Sequence, residues 1–495
     1  MQTQINRRER RERKGLLHLF SAFFAPSAVH IFFILALTLI FFYPLAFSDN
    51  ILARGDTYAY HYPYWAARSA ALLRGELPLW TPDLFMGAPL LANPQIGTFY
   101  PPNWVVAPLS PPDGIRVSLL LHVAWAGIGT FALARRTLRV SRIAALGAAA
   151  IFAFGGYLGA HGEQINQLQG LAWLPMLLLI FDWAVNRPFP RGLVLALALA
   201  LTFFTGHTQT MFMALVALGV YALLTKPLRG LALLAVSGGI ALIVTLPQLI
   251  PTLELMGVSN RRGGFNLNQA TAFSLSPFIA GRGLLPSYDG MIFSEYIGYI
   301  GVIGLCLALF GIERKRSSTT ENTENTEEEA EKITLTAENA ESAERRASIS
   351  SFSLRSLRSL RFNPYFVLTV LGLFLAFGAF NPLYWLLAGL PGFNLFRVPA
   401  RWLALFALGS ALLAARGLQR VLDGERPALR TWIAAGIVIG GLALSTLLTG
   451  RLDDGTPVPP PTVISVIGWV AAGGVFVLSL LSPAVPIPPP QPSPE

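Results

Sequence analysis

Charged residues are scarce in this chain: they make up 13% of its 495 residues, whereas hydrophobic residues make up 53%. About a quarter of the residues in a soluble domain are charged, so this composition excludes an ordinary soluble protein. The mean hydropathy is +0.53. We therefore predict an integral membrane protein, in which lipid surrounds most of the chain.

Cysteine is almost absent as well. The single cysteine, Cys306, lies in an apolar run, which excludes an intramolecular disulfide and a zinc site built from cysteines. A net charge of +10 would suggest a nucleic acid partner if the protein were soluble. Here the basic residues lie in short loops between apolar runs, where they orient a membrane protein, and we predict no nucleic acid partner.

Apolar runs long enough to cross a bilayer recur along the chain. The first follows "RRERRERKG". It is too long for the apolar part of a signal peptide and has no small-residue cleavage site after it, so we predict a retained span. The sequence predicts an all-α, polytopic bundle of about 12 transmembrane helices. Their expected positions are 27–47, 115–134, 143–160, 168–185, 191–206, 208–225, 230–250, 295–312, 364–384, 401–416, 430–449 and 462–482.

Lysine and arginine in the short loops set the predicted orientation. When the spans are counted in order, the N-terminus and five basic loops fall on one side: "RRERRERK", "ARRTLRVSR", "NRPFPR", "TKPLRG", "ERKR" and "ARGLQRVLDGERPALR". This predicts a multi-pass plasma-membrane protein with both termini in the cytoplasm. It also makes residues 48–114 a long first extracytoplasmic loop.

The same patterns divide the chain into five regions. They are a basic cytoplasmic N-terminus (1–26), an N-terminal transmembrane region (27–312), a cytoplasmic insertion (313–362), a C-terminal transmembrane region (363–482) and a proline-rich tail (483–495). The insertion is polar and of low complexity, with repeats such as "TENTEN" and "SLRSLRSLR". We expect it to be disordered and tolerated, because it lacks the apolar surface that offsets ordering entropy.

Ionisable residues are nearly absent from the centres of the spans, where an ion-driven transporter usually carries them. Polar residues collect instead at the outer ends of six segments, which predicts an extracytoplasmic site. We expect its residues to be Asp56, His161, Gln164, His207, Gln209, Gln248, Arg261, Glu295, Tyr296, Arg397 and Arg401. Each type also has an ordinary role: a histidine can face solvent, an arginine can anchor lipid phosphates, and Glu295 can favour a helix N-terminus.

Asp56 is the predicted catalytic residue. It lies in "ARGDTYAYHYPYW", directly after the first span. There it can act as a general base or hold a divalent cation, the one cofactor that these residues suggest. Its ordinary alternative is to cap the helix that follows. The surrounding aromatic residues are expected to form a wall and an interfacial anchor, with the histidine among them merely solvated: Tyr58, Tyr60, Tyr62, Trp65 and His61.

The rest of the first loop and a later arginine pair complete the predicted site. "YWAARSAALLRG" has helical spacing and is expected to lie on the membrane surface, whereas "GAPLLANPQIGTFYPPNW" is expected to be a rigid, irregular lid. Arg397 or Arg401 can hold a phosphate through bidentate hydrogen bonds. A carboxylate, a phosphate clamp and aromatic walls together suit sugar transfer from a lipid carrier.

The chain resembles the bacterial YfhO-like membrane proteins, which are similar to the GT-C superfamily of glycosyltransferases. The stretches that carry the resemblance are "GDTYAYHYPYW", "GELPLWTPDLFMGAPLLANPQIGTFYPPNW", "GHTQT", "LPQLIPTLEL", "EYIGYIG" and "LPGFNLFRVPARW". The resemblance implies a GT-C-like fold, a polyprenyl-phosphate sugar donor, and an envelope polymer or lipid as acceptor. It also implies an essential acid in the first outer loop, at Asp56. Many GT-C proteins have a paired acid there, and this chain has Asp49 nearby without a match.

Two other functions fit parts of the same pattern. A transporter or flippase for an envelope lipid or polysaccharide precursor also suits twelve spans, although one half of the chain does not repeat the other. A non-catalytic scaffold would need no clustered polar residues at one membrane face. A transferase needs Asp56 and the arginines around one outer cavity, whereas a transporter needs polar residues along a path through the membrane midplane.

Overall fold

The computed structural model describes residues 28–53, 55–286, 292–312, 363–450 and 460–481. The predicted N-terminal region 1–26, the insertion 313–362 and the tail 483–495 lie outside the described residues.

Helices dominate the described chain. In order, the α-helices are α1 (Ala28–Phe41), α2 (Tyr43–Ala46), α3 (Tyr62–Leu73), α4 (Pro101–Val105), α5 (Pro111–Leu133), α6 (Arg142–Ala153), α7 (Gly156–Ala160), α8 (Ile165–Ala184), α9 (Pro188–Phe204), α10 (Thr208–Thr225), α11 (Pro227–Gly257), α12 (Leu267–Ala270), α13 (Ala280–Leu284), α14 (Val302–Ile312), α15 (Pro364–Ala376), α16 (Pro382–Leu387), α17 (Leu403–Leu422), α18 (Leu429–Leu448) and α19 (Val463–Leu481). Two short strands, β1 (Trp80–Thr81) and β2 (Ala88–Pro89), form an antiparallel hairpin.

The prediction of an all-α membrane protein is confirmed. Helices occupy every position at which a span was predicted. In the described part of the chain, six helical segments are long and apolar enough to cross a membrane: Pro111–Leu138, Arg142–Ala160, Thr208–Thr225, Pro227–Gly257, Pro399–Leu422 and Leu429–Leu448. Five further apolar helices are shorter than a bilayer requires for a straight crossing.

Three predicted boundaries were wrong. The span expected at 295–312 begins only at Val302, because Glu295 turns into the protein in a 3-10 helix and forms an ion pair there. The span expected at 364–384 ends at Ala376, where Gly378 adopts a positive φ of 44°. The stretch 87–104 was expected to be irregular, but α4 begins there with two prolines at its first positions.

The centre of the bundle is α17, which is buried along most of its length. It packs most closely on α14, where glycines bring the two backbones together. A Cβ on Gly417 would lie 1.9 Å from the carbonyl oxygen of Leu307, and one on Gly311 would lie 2.0 Å from that of Leu413. Small residues at such positions allow close packing of membrane helices, which rests on van der Waals contact. By contrast, α18 and α19 expose most of their apolar side chains.

The first loop is held inside the bundle by hydrogen bonds. Its Tyr100 hydroxyl lies 2.7 Å from His122 Nε2 on α5 and accepts a hydrogen bond from Trp173 Nε1 on α8 at 2.9 Å. Asn103 Oδ1 accepts from Gln169 Nε2 at 2.8 Å. These buried polar groups satisfy one another. They fix the irregular segment after β2 against α5 and α8, as expected for a rigid loop.

Candidate functional site

Arg401 lies at the centre of a cluster of polar side chains at one end of the bundle. Its Nε and Nη2 donate to Glu295 Oε1 at 2.8 and 2.6 Å. Nη1 donates to Gln209 Oε1 at 2.7 Å, and Nη2 also donates to Gln164 Oε1 at 3.4 Å. Side chains from three separate segments therefore hold the guanidinium in one orientation, with charge-assisted hydrogen bonds to the carboxylate.

His161 completes the cluster behind Glu295. Its Nδ1 donates to the carbonyl oxygen of Tyr157 at 2.6 Å, and its Nε2 lies 2.8 Å from Glu295 Oε2. Burial alone would raise the pKa of Glu295, but Arg401 and then His161 outweigh burial and hold that pKa below its ordinary value. The ionised Glu295 accepts hydrogen bonds from Arg401 and balances the charge of that guanidinium.

The backbone before Arg401 turns sharply. Val398 adopts a left-handed conformation with φ 65°, and residues 399–402 form a 3-10 helix that leads into α17. The Tyr157 hydroxyl donates to the Arg401 carbonyl oxygen at 2.8 Å. Pro399 lacks a backbone N–H and opposes a regular helix at this point. The "RVPAR" stretch therefore places its two arginines on an irregular turn, as the proline in the sequence indicated.

A cavity of about 750 Å³ opens beside Arg401. Its polar end gathers side chains from the first loop, from the turns before α8 and α10, and from the segment after α11. Seven of the predicted site residues line the cavity: Asp56, Gln164, His207, Gln209, Arg261, Arg397 and Arg401. His161 and Glu295 are buried directly behind this wall. Six segments distant in the sequence thus meet at one site.

The other end of the cavity is apolar. Leu199 of α9, Leu215 of α10 and Leu249 of α11 are among the side chains that line it. On α11 the lining residues run from Gly238 to Met256, a length of about 27 Å at 1.5 Å per residue. That length approaches the thickness of the hydrocarbon core of a bilayer, about 30 Å. The cavity therefore joins a charged head region to an apolar groove among membrane helices.

Arg261 and Arg397 differ from Arg401 in their partners. Both are exposed at the cavity, and neither forms an ion pair with an acid in the described residues. The Arg397 guanidinium lies 6.0 Å from the ring centre of Phe273, and that of Arg261 lies 5.6 Å from Phe265. Partial burial, then Arg397 and Arg401, lower the pKa of Arg261. These two cations have free donors, whereas four donor contacts of Arg401 are already used.

His207 lies where the cavity wall meets the first loop. Its Nδ1 accepts from the Thr210 backbone at 3.3 Å and caps α10. Gly206 before it has φ 90°, and a Cβ there would lie 2.0 Å from the carbonyl oxygen of Pro94. Only glycine permits this contact between the two turns. Burial, and then Arg401, lower the pKa of His207 well below its ordinary value, so its ring is neutral near pH 7.

Asp56 precedes a π-helical turn, Thr57–His61, and is exposed at the cavity. Its side chain makes no capping hydrogen bond to that turn, so the capping role is absent from this structure. The turn is fixed through Thr57, whose hydroxyl donates to the Glu163 carbonyl oxygen at 2.6 Å. π-Helical turns are rare and often occur at functional sites. Here the turn presents Asp56 and His61 to the same cavity.

The expectation that His61 is merely solvated was wrong. Its side chain is 2% exposed and lines the cavity. Burial, and then the nearby Arg68, lower the pKa of His61 to about 4. Arg68 itself is fully buried and donates to the Ile96 carbonyl oxygen at 2.5 Å. The loop around residue 96 closes over this face of α3, which the local sequence pattern does not indicate.

The aromatic residues around Asp56 divide between surface and interior. Tyr58 is 65% exposed, as an interfacial anchor would be, whereas Trp65 is 3% exposed and belongs to the core. The Tyr62 hydroxyl donates to the Leu52 carbonyl oxygen at 2.5 Å. Burial raises the pKa of Tyr60 to about 12. The predicted aromatic wall is therefore formed in part, with Trp65 packed behind it.

Besides His161 and Glu295, two further predicted residues do not line the cavity. Gln248 is buried, and its Nε2 donates to the Leu91 carbonyl oxygen at 2.7 Å, which ties α11 to the first loop. Tyr296 follows Glu295 in the 3-10 helix, and its ring centre lies 5.3 Å from that of Phe293. Both residues position neighbouring segments of the site.

Three amides line the cavity although they were not among the predicted site residues. Asn93 and Gln95 come from the first loop, and Asn166 from the start of α8. Asn93 Nδ2 donates to the Tyr60 hydroxyl at 2.5 Å, and Asn166 Nδ2 donates to Gln95 Oε1 at 3.4 Å. The one sequence signal that could have predicted these residues is the occurrence of amides near proline or glycine in "ANPQIG" and "GEQINQ".

A divalent cation would find few protein ligands here. Across the described ranges, no three histidine, cysteine, aspartate or glutamate side chains come together as a metal site. A second carboxylate, that of Glu163, lies near this turn, with its Oε2 3.0 Å from where a Cβ on Gly55 would stand. Hard cations take six or more oxygen ligands. A cation at Asp56 would therefore depend on oxygens that a ligand supplies.

No protein-family model, curated protein or solved structure matches this chain.

Proposed function

We propose that this protein is a membrane glycosyltransferase that moves a sugar from a polyprenyl-phosphate donor to a cell-envelope polymer or lipid. The observation that carries the proposal is a cavity that combines the exposed carboxylate of Asp56, two arginines with no acid partner among the described residues, and a long apolar groove. An anionic lipid carrier has the matching chemistry, because its phosphate suits arginine and its tail suits the groove.

The proposed reaction assigns a role to each group at the polar end. The acceptor hydroxyl oxygen bonds to the anomeric carbon of the sugar, and the bond between that carbon and the phosphate oxygen breaks. The phosphate leaves with the electron pair, while Asp56 takes the proton of the hydroxyl as a general base. Arg261 and Arg397 stabilise the charge on the departing phosphate. Arg401 adds positive potential, but its N–H groups already donate to Glu295, Gln209 and Gln164, so it has no free pair of donors for the phosphate.

The proposal includes an arrangement in the membrane. We infer a GT-C-like bundle of twelve spans in the plasma membrane, with both termini in the cytoplasm and the site at the extracytoplasmic face. The basic loops support this orientation, because the polar end of the cavity is built from the segments opposite to them. The resemblance to the YfhO-like proteins in the first outer loop and in "FRVPARW" points to the same class of enzyme.

A transporter or flippase is the competing function. It requires polar side chains along a path through the membrane midplane. The deep part of this cavity is lined mainly by apolar residues such as Leu199, Leu215 and Leu242, which suit a lipid tail. The hydroxyl of Thr245, which also lines it, donates to the Leu242 carbonyl oxygen at 3.0 Å. The distribution of polar groups at one end therefore supports transfer over transport.

Lipid analysis of cells with and without the protein distinguishes the two functions. If the protein is a transferase, cells without it accumulate the polyprenyl-phosphate sugar, and an envelope polymer or lipid loses that sugar. If it is a flippase, the donor accumulates on the cytoplasmic face only, where an externally added periodate reagent does not oxidise its sugar. Unchanged donor and unchanged envelope would contradict both functions.

A further inference from the structure

A hairpin in the first loop carries an exposed apolar surface that the proposed reaction does not use. Strands β1 and β2 are joined by a tight turn in which the Gly87 N–H donates to the Leu84 carbonyl oxygen at 2.9 Å. Large apolar residues along the hairpin are exposed to between 56% and 102%: Leu77, Leu79, Trp80, Phe85 and Met86. Exposed patches of this kind mark interaction sites.

The turn carries unusual residues for its backbone. Phe85 and Met86 have φ of 53° and 61°, the left-handed region that two-residue hairpin turns usually fill with asparagine and glycine. Bulky side chains are disfavoured in this region. In water the tip would combine that strain with the exposure of two large apolar side chains. An apolar environment around the tip removes the second penalty.

The hairpin is attached to α11, a helix long and apolar enough to cross a membrane. After β2 the chain turns to Leu91 and Ala92, whose carbonyl oxygens accept from Gln248 and Thr252 of α11 at 2.7 and 3.0 Å. On α11, exposed apolar residues recur about every two helical turns, at Val236, Ile243 and Ile250, and form a stripe along one face. Gln248 and Thr252 flank Ile250, so the attachment point is at the upper part of the lipid-facing stripe.

The two hairpin strands lie beside that attachment point. The N–H of Leu90 donates to the Leu79 carbonyl oxygen at 3.0 Å, which places Leu79 beside the residues attached to α11. A two-stranded hairpin with its backbone bonds made can enter the interface, where water still reaches its free edges. Tryptophan is also favoured at that depth, as Trp80 would be.

We propose that this hairpin, residues 77–91, inserts its apolar tip into the membrane leaflet at the cavity end of the bundle, and that its partner is the lipid surface. The hairpin is attached to α11 beside the exposed apolar stripe of that helix, which favours lipid as the occupant of the patch. Insertion holds the wall formed by Ala92 and Asn93 at the boundary between bilayer and cavity. The proposal is independent of the reaction that the cavity supports.

Site-directed nitroxide labelling tests the insertion. It is practical because the chain has a single native cysteine, Cys306, to replace. In a Cys306→Ala background, Phe85→Cys and Met86→Cys are labelled in liposomes of phosphatidylcholine and phosphatidylglycerol. Accessibility to molecular oxygen and to a water-soluble nickel chelate is then measured. Ile243→Cys, on the exposed stripe of α11, is the lipid control, and Asn50→Cys, in an exposed polar turn, is the water control.

At both tip positions we expect oxygen accessibility to exceed nickel accessibility several-fold, as at position 243. Nickel accessibility like that of position 50 would overturn the proposal, and so would exclusion of both reagents, which would mean that protein or a second copy covers the tip. A further variant, Phe85→Asn with Met86→Gly, keeps a turn-compatible backbone and removes the apolar tip. A nitroxide at Trp80→Cys should then lose oxygen accessibility, and an unchanged value would show that the tip does not anchor the hairpin.

Discussion

The buried pair of Glu295 and Arg401 gives the sharpest prediction about how the site is held. Glu295 is 0% exposed and contacts both Arg401 and His161. Replacing Glu295 alone by methionine leaves the largely buried Arg401 without its counter-charge, which costs about 3–5 kcal/mol of stability. Replacing Arg401 alone leaves the carboxylate with His161 only, at a similar cost. Replacing both by methionine removes the pair, and such apolar replacements are often nearly neutral.

The prediction is therefore a coupling energy of about 3 kcal/mol or more between the two substitutions. Each single variant should unfold at a lower temperature than the wild type in detergent, followed by the fluorescence of the ten tryptophans. The double variant should recover most of the loss. We also compare the binding of farnesyl phosphate with that of farnesol, which lacks the phosphate. The affinity of the double variant for farnesyl phosphate should remain below that of the wild type, because the positive charge of Arg401 is gone.

Arg397→Met is the matched control for this experiment. Arg397 is exposed and has no acid partner among the described residues, so its loss should change stability by no more than about 0.5 kcal/mol. Its affinity for farnesyl phosphate should nevertheless fall. If Glu295→Met is as stable as the wild type, or if the two methionine substitutions simply add, Glu295 does not hold Arg401 in the way described.

Three further predictions concern pH, the insertion and orientation. Burial and Arg68 lower the pKa of His61 from 6.5 to about 4. The stability that neutral His61 contributes is therefore complete above about pH 6.5 and falls by up to about 1.4 kcal/mol per pH unit toward pH 4. His61→Gln should remove this one-proton slope from thermal unfolding, and an unchanged slope would contradict the assignment. Deleting residues 318–358 should leave insertion and activity nearly intact, because closure entropy changes only slowly with loop length. Complete loss of activity in a normally inserted variant would contradict this. With Cys306 replaced, a cysteine introduced at position 320 should react with a membrane-impermeant thiol reagent only after the cells are opened. Labelling in intact cells would contradict the proposed orientation.

Much of the helical architecture follows from the sequence, because long apolar runs have one stable form in a bilayer. The exceptions occur where a polar residue inside a predicted span had a partner elsewhere. Glu295 appeared to begin a span, but its ion pair with Arg401, 106 residues away, turns the chain into the protein instead. Nothing in the sequence near residue 295 specifies that partner.

That seven of the predicted side chains would line one cavity could be anticipated, since polar residues at the same ends of packed helices lie close together. Their division of roles was not. Arg401 and Arg397 are equivalent in the sequence "FRVPAR", yet one is held by Glu295 and the other is exposed at the cavity. His61 was expected in solvent because its burial depends on the loop at residues 94–97, which folds back across α3.

The central claim is that Asp56 is the base of a sugar transfer, and the most direct test is transfer by Asp56→Asn. Asp56 makes no capping hydrogen bond and is exposed, so asparagine should leave expression and thermal stability unchanged. Wild-type and variant proteins are reconstituted in liposomes with polyprenyl-phosphate hexoses and an envelope acceptor fraction. Asp83→Asn, an exposed acid in the same loop that does not line the cavity, is the control. We predict that Asp56→Asn lowers transfer by about 10²-fold or more while Asp83→Asn transfers normally. Transfer at the wild-type rate by Asp56→Asn would contradict the claim.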